Sequence, residues 1–345
     1  MMQPAIFPHL ESLPHSIKHA FVTGAGGFLG KVICRMLLDA GIKVTGFARG
    51  EYPELCDMGV VMRQGDIVNY DDVLSAMAGC DVVFHVASKA GVWGSRESYF
   101  KPNVTGCKNI IEACKSHSID KLIYTSTPSV TFDGIDESGI DESAPYANHF
   151  LNHYGETKAL AEAMVLEANS DELKTVALRP HLIWGPEDGH LVPRVIARAK
   201  AKKLKLVGSE DKLVDTIYVD NAAYAHLLAA VALAHSNSQC AGKPYYLSND
   251  QPITMAEMLN KIIGCVGLPK VDKRVPASLA YVAGFLLETI YTLLNKTEEP
   301  VMTRFVAKQL STAHYFDISA AKRDLKYSPV ITIDEGIRRL KQSLE

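Results

Sequence analysis

The sequence predicts an α/β fold built on a doubly wound parallel sheet, with a smaller C-terminal region interleaved with it. Three observations carry that expectation. From residue 20 onward, short β-branched or apolar runs alternate with stretches whose apolar residues recur at helical spacing, which is how successive βαβ units read in sequence. Glycines crowd the junction of the first strand and the first helix. After Arg179 and Pro180 the alternation loosens, and Pro186, Pro193, Pro244, Pro252, Pro269 and Pro276 cut the remainder into short elements.

In chain order, strands are expected at His19 to Thr23, Lys43 to Ala48, Val60 to Gln64, Val82 to Ala87, Lys121 to Ser126 and Thr175 to Arg179. Between them Leu29 to Ala40, Val104 to Ser116 and Tyr154 to Asn169 have helical periodicity. Residues 1–18 read as an N-terminal extension without the basic start and unbroken apolar core of a secretory signal. Residues 19–185 form the sheet region, to which 213–245 returns with a helix from Asn221 to Ala234. Residues 186–212 and 246–345 form the second region.

At 345 residues and 47% hydrophobic, the chain can bury a large core. A formal net charge of −3, with lysines and arginines scattered, gives no footprint for a phosphate backbone, so no nucleic-acid partner is expected. The seven cysteines are odd in number and lack any C-x-x-C pair, which fits a reducing cytoplasm and no metal site. Ala277 to Leu294 is apolar apart from Glu288 and a few hydroxyls. Because an ionisable group at mid-bilayer costs at least ~2.5 kcal/mol, the segment reads as a helix over the pocket, with interfacial contact left open, and not as a span.

Gly24, Gly27 and Gly30 follow the first strand, with Phe28 and Leu29 opening the helix. Without a Cβ, the backbone can turn sharply and approach a pyrophosphate, which then meets the unpaired N–H groups at the helix's positive end. This strand, loop and helix form a Rossmann-type dinucleotide site. Arg49 ends the second strand where an NAD site would usually carry an acid. Its planar fork suits a 2′-phosphate, so NADP(H) is expected, against the competing reading of a solvated arginine beside Glu51. Asp66 and Ile67, after the third strand, fit the adenine edge, or Asp66 caps a helix. Ala87, in the small run that ends the fourth strand, admits a flat nicotinamide-ribose, although close packing selects the same residues.

Tyr154 and Lys158 stand four residues apart on a helix-like stretch, which puts phenol and ammonium on one face. A free phenol has a pKa near ~10, and an adjacent cation lowers it, so Tyr154 could donate a proton to a carbonyl oxygen. Lys158 would also hydrogen-bond the nicotinamide ribose. Thr127, at the carboxyl end of the fifth strand, is the choice for orienting that carbonyl, with Ser126 in reserve. Asn103 would hold a water or a backbone group in a relay to Lys158, or cap a helix. Pro180 and Ile183 would meet the carboxamide through their backbone.

With these residues assembled, the chain resembles the extended short-chain dehydrogenase/reductase superfamily over nearly its whole length, within it the 3β-hydroxysteroid dehydrogenase-like branch. RGEYPEL (49–55), ASKAGVWGS (87–95), YTSTPSV (124–130), LRPHLIWGP (178–186) and FVAKQLSTAHYFD (305–317) are similar to a narrower group, the bacterial 2-alkyl-3-oxoalkanoate reductases of long-chain olefin biosynthesis. The resemblance implies NADPH-dependent reduction of a long-chain 2-alkyl-3-keto acid to the 3-hydroxy acid, with Tyr154 as general acid, Lys158 as its partner and Thr127 in the usual serine or threonine place. It further implies a homodimer through the helices including the Tyr154 stretch, and a complex with neighbouring pathway enzymes. Trp184 departs from the tyrosine common in the R-P-x-x-x-Y-G-P pattern, a change that bears on the pocket's shape.

Three other readings compete. A sugar-nucleotide dehydratase needs carboxylates beside the catalytic hydroxyl, where this chain has Pro128 and Ser129. A steroid dehydrogenase-isomerase would use the same triad and an apolar pocket. A non-catalytic NADP sensor has no use for a proton donor such as Tyr154.

Overall fold

Six of the expected runs, and a seventh that a proline disguised, pair in parallel in a single sheet. The computed structural model describes residues 7–345. Its strands are β1 (His19–Thr23), β2 (Lys43–Ala48), β3 (Val61–Gln64), β4 (Val82–His85), β5 (Lys121–Thr125), β6 (Lys174–Pro180) and β7 (Lys243–Leu247), in the spatial order β7-β6-β5-β4-β1-β2-β3. The chain starts in the middle and winds outward both ways, so a crevice opens at the carboxyl ends of β1 and β4. β7 contains Pro244 and pairs only with β6, consistent with proline's confinement to sheet edges.

Alternation along the strands feeds two cores. In β1, Ala20 and Val22 face one layer and Phe21 the other. The first layer holds α1 (Phe28–Asp39) and a later helix, and the second holds α2 (Tyr70–Ala76), α3 (Gly106–Ser116) and α4 (His153–Glu167). The later helix is α5 (Val219–Ala234), buried on almost every side between the sheet, α1 and the N-terminal segment. Leu13 and Ile17 are fully buried, and the Tyr224 hydroxyl donates to the Pro8 carbonyl at 2.9 Å, so the described part of the extension is packed onto α5. The first six residues of that extension lie outside the described residues.

α3 begins two residues later than expected because Lys101–Thr105 forms a π-helical turn. Pro102 inside it has no N–H to give to a regular helical ladder. Beyond β6 the short elements interleave. Leu213–Val214 pairs with Ile253–Thr254 and His314–Phe316, and the last of these pairs with Glu137–Ile140, so the small sheet takes a strand from the first half of the chain. Within 213–245, only α5 and the start of β7 join the central layer.

The apolar 277–294 segment forms α6 (Ala277–Leu293), which packs on α7 (Arg304–Ser311). No helix among the described residues is long and apolar enough to cross a membrane. α6 contributes no residue to the pocket wall; it backs α7, whose Phe305 and Gln309 do line it.

Candidate active site

A cleft of about 1550 Å³ runs along the carboxyl ends of the strands. At one end is the glycine loop. Gly24 adopts φ +66°, a conformation natural to glycine, and a Cβ there would lie 2.9 Å from the Ala87 Cα. A Cβ on Gly30 would fall 2.1 Å from the Gly24 carbonyl oxygen. Gly27 is the N-cap of α1 and supplies no side chain to its first turn, so the N–H groups of that turn face the cleft uncapped. The cradle is shaped for a pyrophosphate, and a nicotinamide dinucleotide fits it. Thr23 draws the next strand end close, its hydroxyl accepting from the Val86 and Ala87 N–H groups at 3.1 Å.

Gly24, Gly27, Phe28, Leu29, Gly30, Arg49, Asp66, Ile67, Ala87, Pro180 and Ile183 all line this cleft. Arg49 makes no ion pair among the described residues, leaving its guanidinium available at the end of β2. Asp66 accepts from the Val68 N–H at 3.0 Å in a tight turn, while α2 is capped by Asn69, so the capping alternative for Asp66 is not what the structure shows. Sequence reasoning missed Tyr52. Its ring lies across the loop so closely that a Cβ on Gly26 would be 2.1 Å from the Tyr52 Cζ. Only the unexplained extra glycine at 26 hinted at it.

At the other end, α4 brings Tyr154 to the cleft, where Thr127 also lines the wall, its hydroxyl accepting from the Ser129 N–H at 3.2 Å. Burial pushes the Tyr154 pKa up to about 12, partly offset by the neighbouring Thr127 hydroxyl. The expected lowering by Lys158 is absent. Lys158 is itself buried, its Nζ donating to the Thr125 carbonyl at 2.6 Å over the Tyr124 ring, and burial pulls its pKa down to about 7. It lies behind the cleft wall and not on it, because the nearest strong acceptor is the carbonyl that ends β5.

Ser126 is excluded as the free hydroxyl. Its Oγ donates to Glu162 Oε2, and Glu162 also takes both arms of Arg179, at 3.0 and 2.6 Å, and the Tyr146 hydroxyl at 2.9 Å. This ion pair is buried, Glu162 fully so, and joins α4 to β6.

Asn103 is inside the π turn, neither a cap nor in contact with Lys158. Its amide clamps a backbone, accepting from the Lys89 N–H at 2.7 Å and donating to the Lys89 carbonyl at 3.1 Å and the Thr157 hydroxyl at 3.0 Å. The clamp aims Lys89, another residue passed over among the small residues of its run. Lys89 Nζ donates to the Ser98 hydroxyl at 2.7 Å, lies over the Tyr99 ring and has no carboxylate partner among the described residues. Trp184 does not shape the pocket: it is fully buried, donating to the Thr216 hydroxyl at 3.2 Å and packed edge-on against Tyr218.

The 3-beta hydroxysteroid dehydrogenase/isomerase family matches residues 21–275. The chain is 65% identical over 342 residues to a 2-alkyl-3-oxoalkanoate reductase of Shewanella oneidensis, covering 97% of this chain and 88% of that one. It is 49% identical to a protein of the same name from Stenotrophomonas maltophilia, over 93% of this chain and 98% of that one. Among solved structures, a UDP-glucuronic acid 4-epimerase from Bacillus cereus in complex with NAD superposes with a TM-score of 0.71 at 21% identity, covering 94% and 98% of the two chains. That likeness shows the fold.

The buried pair has a measurable consequence. Glu162→Ala leaves the Arg179 guanidinium without its counter-charge and is expected to lose about 3–5 kcal/mol in urea unfolding, whereas Glu162→Leu with Arg179→Met regains most of it.

Proposed function

We propose that this chain, which belongs to the 3-beta hydroxysteroid dehydrogenase/isomerase family, reduces a long-chain 2-alkyl-3-oxoalkanoic acid to the 2-alkyl-3-hydroxy acid with NADPH. One observation carries the reductase reading: the Tyr154 phenol and the Thr127 hydroxyl line one cleft whose far end is an uncapped, glycine-lined helix start. The two relatives named for this substrate, 65% and 49% identical, support the substrate.

Bound in the cleft, the reduced nicotinamide supplies the hydride that adds to the ketone carbon. Thr127 holds the ketone oxygen beside Tyr154, and the Tyr154 phenol gives that oxygen its proton. Burial keeps the phenol protonated until then, so it acts as an acid. Lys158, one helical turn along and held by the Thr125 carbonyl, acts as the partner of Tyr154 by closing the wall behind it, and not by a direct bond to the phenol. Asn103 is a positioning residue, acting through Lys89. Arg49, unpaired at the adenosine end, supports a 2′-phosphate and hence NADPH.

Lys89 supports the acid. It is a cation without a carboxylate partner near the Tyr154 end of the cleft, and a 3-oxo acid carries its carboxylate two carbons from the ketone. The seven cysteines are unpaired, which supports a reducing, cytoplasmic setting. The family resemblance also supports a homodimer through the helices including α4, where Leu160 is exposed, and association with neighbouring enzymes of long-chain olefin biosynthesis.

The direct test is NADPH consumption with a synthetic 2-alkyl-3-oxo acid set beside a 3-ketosteroid, and a preference for the steroid overturns the substrate. Tyr154→Phe is expected to bind NADPH as the wild type does and to lose about 10²–10⁴-fold in turnover; undiminished turnover removes it as the acid. Arg49→Asp should weaken NADPH more than NADH in fluorescence titrations, and an equal loss for both refutes the phosphate contact. Lys89→Met is expected to raise KM about tenfold or more for the acid and little for its methyl ester. A fall in NADPH affinity instead would give Lys89 to the coenzyme.

A further inference from the structure

We propose that the outer face of α6 is a lipid-binding surface that rests on anionic membrane. The helix is held to the protein by a narrow seam. Ala280 and Gly284 are its buried residues, and a Cβ on Gly284 would be 2.5 Å from the Thr303 carbonyl carbon. One turn on, Glu288 accepts from the Arg304 N–H at 2.7 Å and Nε at 2.6 Å. These positions recur every four residues and define one side.

Directly opposite, Leu279, Val282, Leu286, Ile290 and Leu293 fall within an arc of roughly 80° at 100° per residue. They are 58%, 52%, 53%, 48% and 77% exposed, with Phe285 and Leu294 beside them. A monomer seldom leaves such a contiguous apolar stripe in water. Glu288, the charge that argues against a span, points into the protein, so the stripe is uninterrupted along its length.

Charge selects the occupant. The parallel strand pair Leu206–Val207 and Arg274–Val275 leads into α6, and the segments entering that pair carry Lys200, Lys202, Lys203, Lys205, Lys270 and Lys273. All six are exposed, none has an ion pair among the described residues, and Asp272 is the carboxylate interspersed with them. Arg274 and Lys212 are already paired, with Asp211 and Asp136. In a chain whose net charge is −3, this concentration of lysines beside an apolar helix has the make-up of an interfacial helix on anionic lipid. A second copy of the chain would bring the same lysines against its own unless the axis kept them apart.

The position fits the substrate, and this part rests on the function proposed above. α6 connects to the cleft at two places. Trp93, in the loop after β4, packs edge-on against Tyr291 and donates to the Lys296 carbonyl at 3.1 Å, and α7, gripped by Glu288, lines the cleft with Phe305 and Gln309. A keto acid with two long alkyl chains partitions into lipid, and a reductase resting there would meet it without passage through water.

Co-sedimentation with phosphatidylcholine vesicles, with and without phosphatidylglycerol, tests this on the full-length protein. Binding is expected with phosphatidylglycerol, to weaken with salt, and to fall at least about tenfold in Leu279→Glu/Leu286→Glu/Leu293→Glu and in Lys202→Glu/Lys203→Glu/Lys205→Glu. Both variants alter exposed side chains outside the cleft, so turnover of a short-chain, water-soluble 2-alkyl-3-oxo acid should stay at the wild-type value. No binding to either vesicle overturns the proposal. So does a leucine variant that loses a subunit contact in sedimentation velocity while the wild type ignores lipid, since the face is then a protein interface. Failure of the wild type on the soluble acid would instead sink the function and leave the vesicle result standing.

Discussion

The site depends on the grip of one helix on the sheet. α4 carries Tyr154, Lys158 and Glu162 at intervals of four, so a single face presents phenol, amine and carboxylate inward at successive turns. The carboxylate is the anchor. Held by both arms of Arg179 from β6 and by the hydroxyls of Ser126 and Tyr146, Glu162 fixes the rotation and height of α4 relative to the ends of β5 and β6. A bidentate pair is directional where an apolar contact is not, so the Tyr154 oxygen has little freedom with respect to Thr127. The pair also consumes Ser126, so of the two candidates Thr127 is the hydroxyl not tied to a charge, its neutral partner being Ser129.

Lys158 follows from the same geometry. Buried one turn above Glu162, its amine is held by the Thr125 carbonyl and the Tyr124 face, and burial draws its pKa to near 7. Beneath it His85 is kept neutral, with its pKa drawn down to about 3 by burial and secondarily by Lys158 itself. The floor of the site is therefore poor in fixed charge. A phenol in such surroundings holds its proton firmly, which suits an acid that must release it only as negative charge develops on the ketone oxygen.

Much of this could be read from residues alone, and the boundary between legible and illegible is physical. Buried parallel strands read as short, mostly apolar runs, so β1 and β2 were locatable to the residue, and the glycines declare a backbone approach that nothing else tolerates. β7 escaped because Pro244 is a poor strand residue except at an edge, and being an edge is a property of the whole sheet. Glu162 and Arg179 are seventeen residues apart on different elements, and no local period relates them. The same is true of Asn103 and Lys89, whose contact joins the π turn to the loop after β4. Lys158 lowering the Tyr154 pKa was a sound inference from spacing, yet spacing does not register desolvation, which governs both groups here.

The outer surface follows a different logic from the site. A helix with apolar residues on both sides is usually the buried core of a larger protein, and periodicity alone cannot separate that case from α6. What separates them is the narrowness of the seam. Gly284 lets α6 approach α7 closely, and the contact runs through Ala277, Ala280, Tyr281, Gly284 and the Glu288–Arg304 bond, leaving the face of Leu279, Val282, Leu286, Ile290 and Leu293 free of structural duty. Leucine and valine at the freed positions add nothing to the fold that a charged residue would not, and exposed apolar side chains are a liability in water. Their presence beside a cluster of unpaired lysines therefore calls for an environment that is at once apolar and anionic, and α7 and Trp93 connect that face to the pocket where a long-chain acid would react.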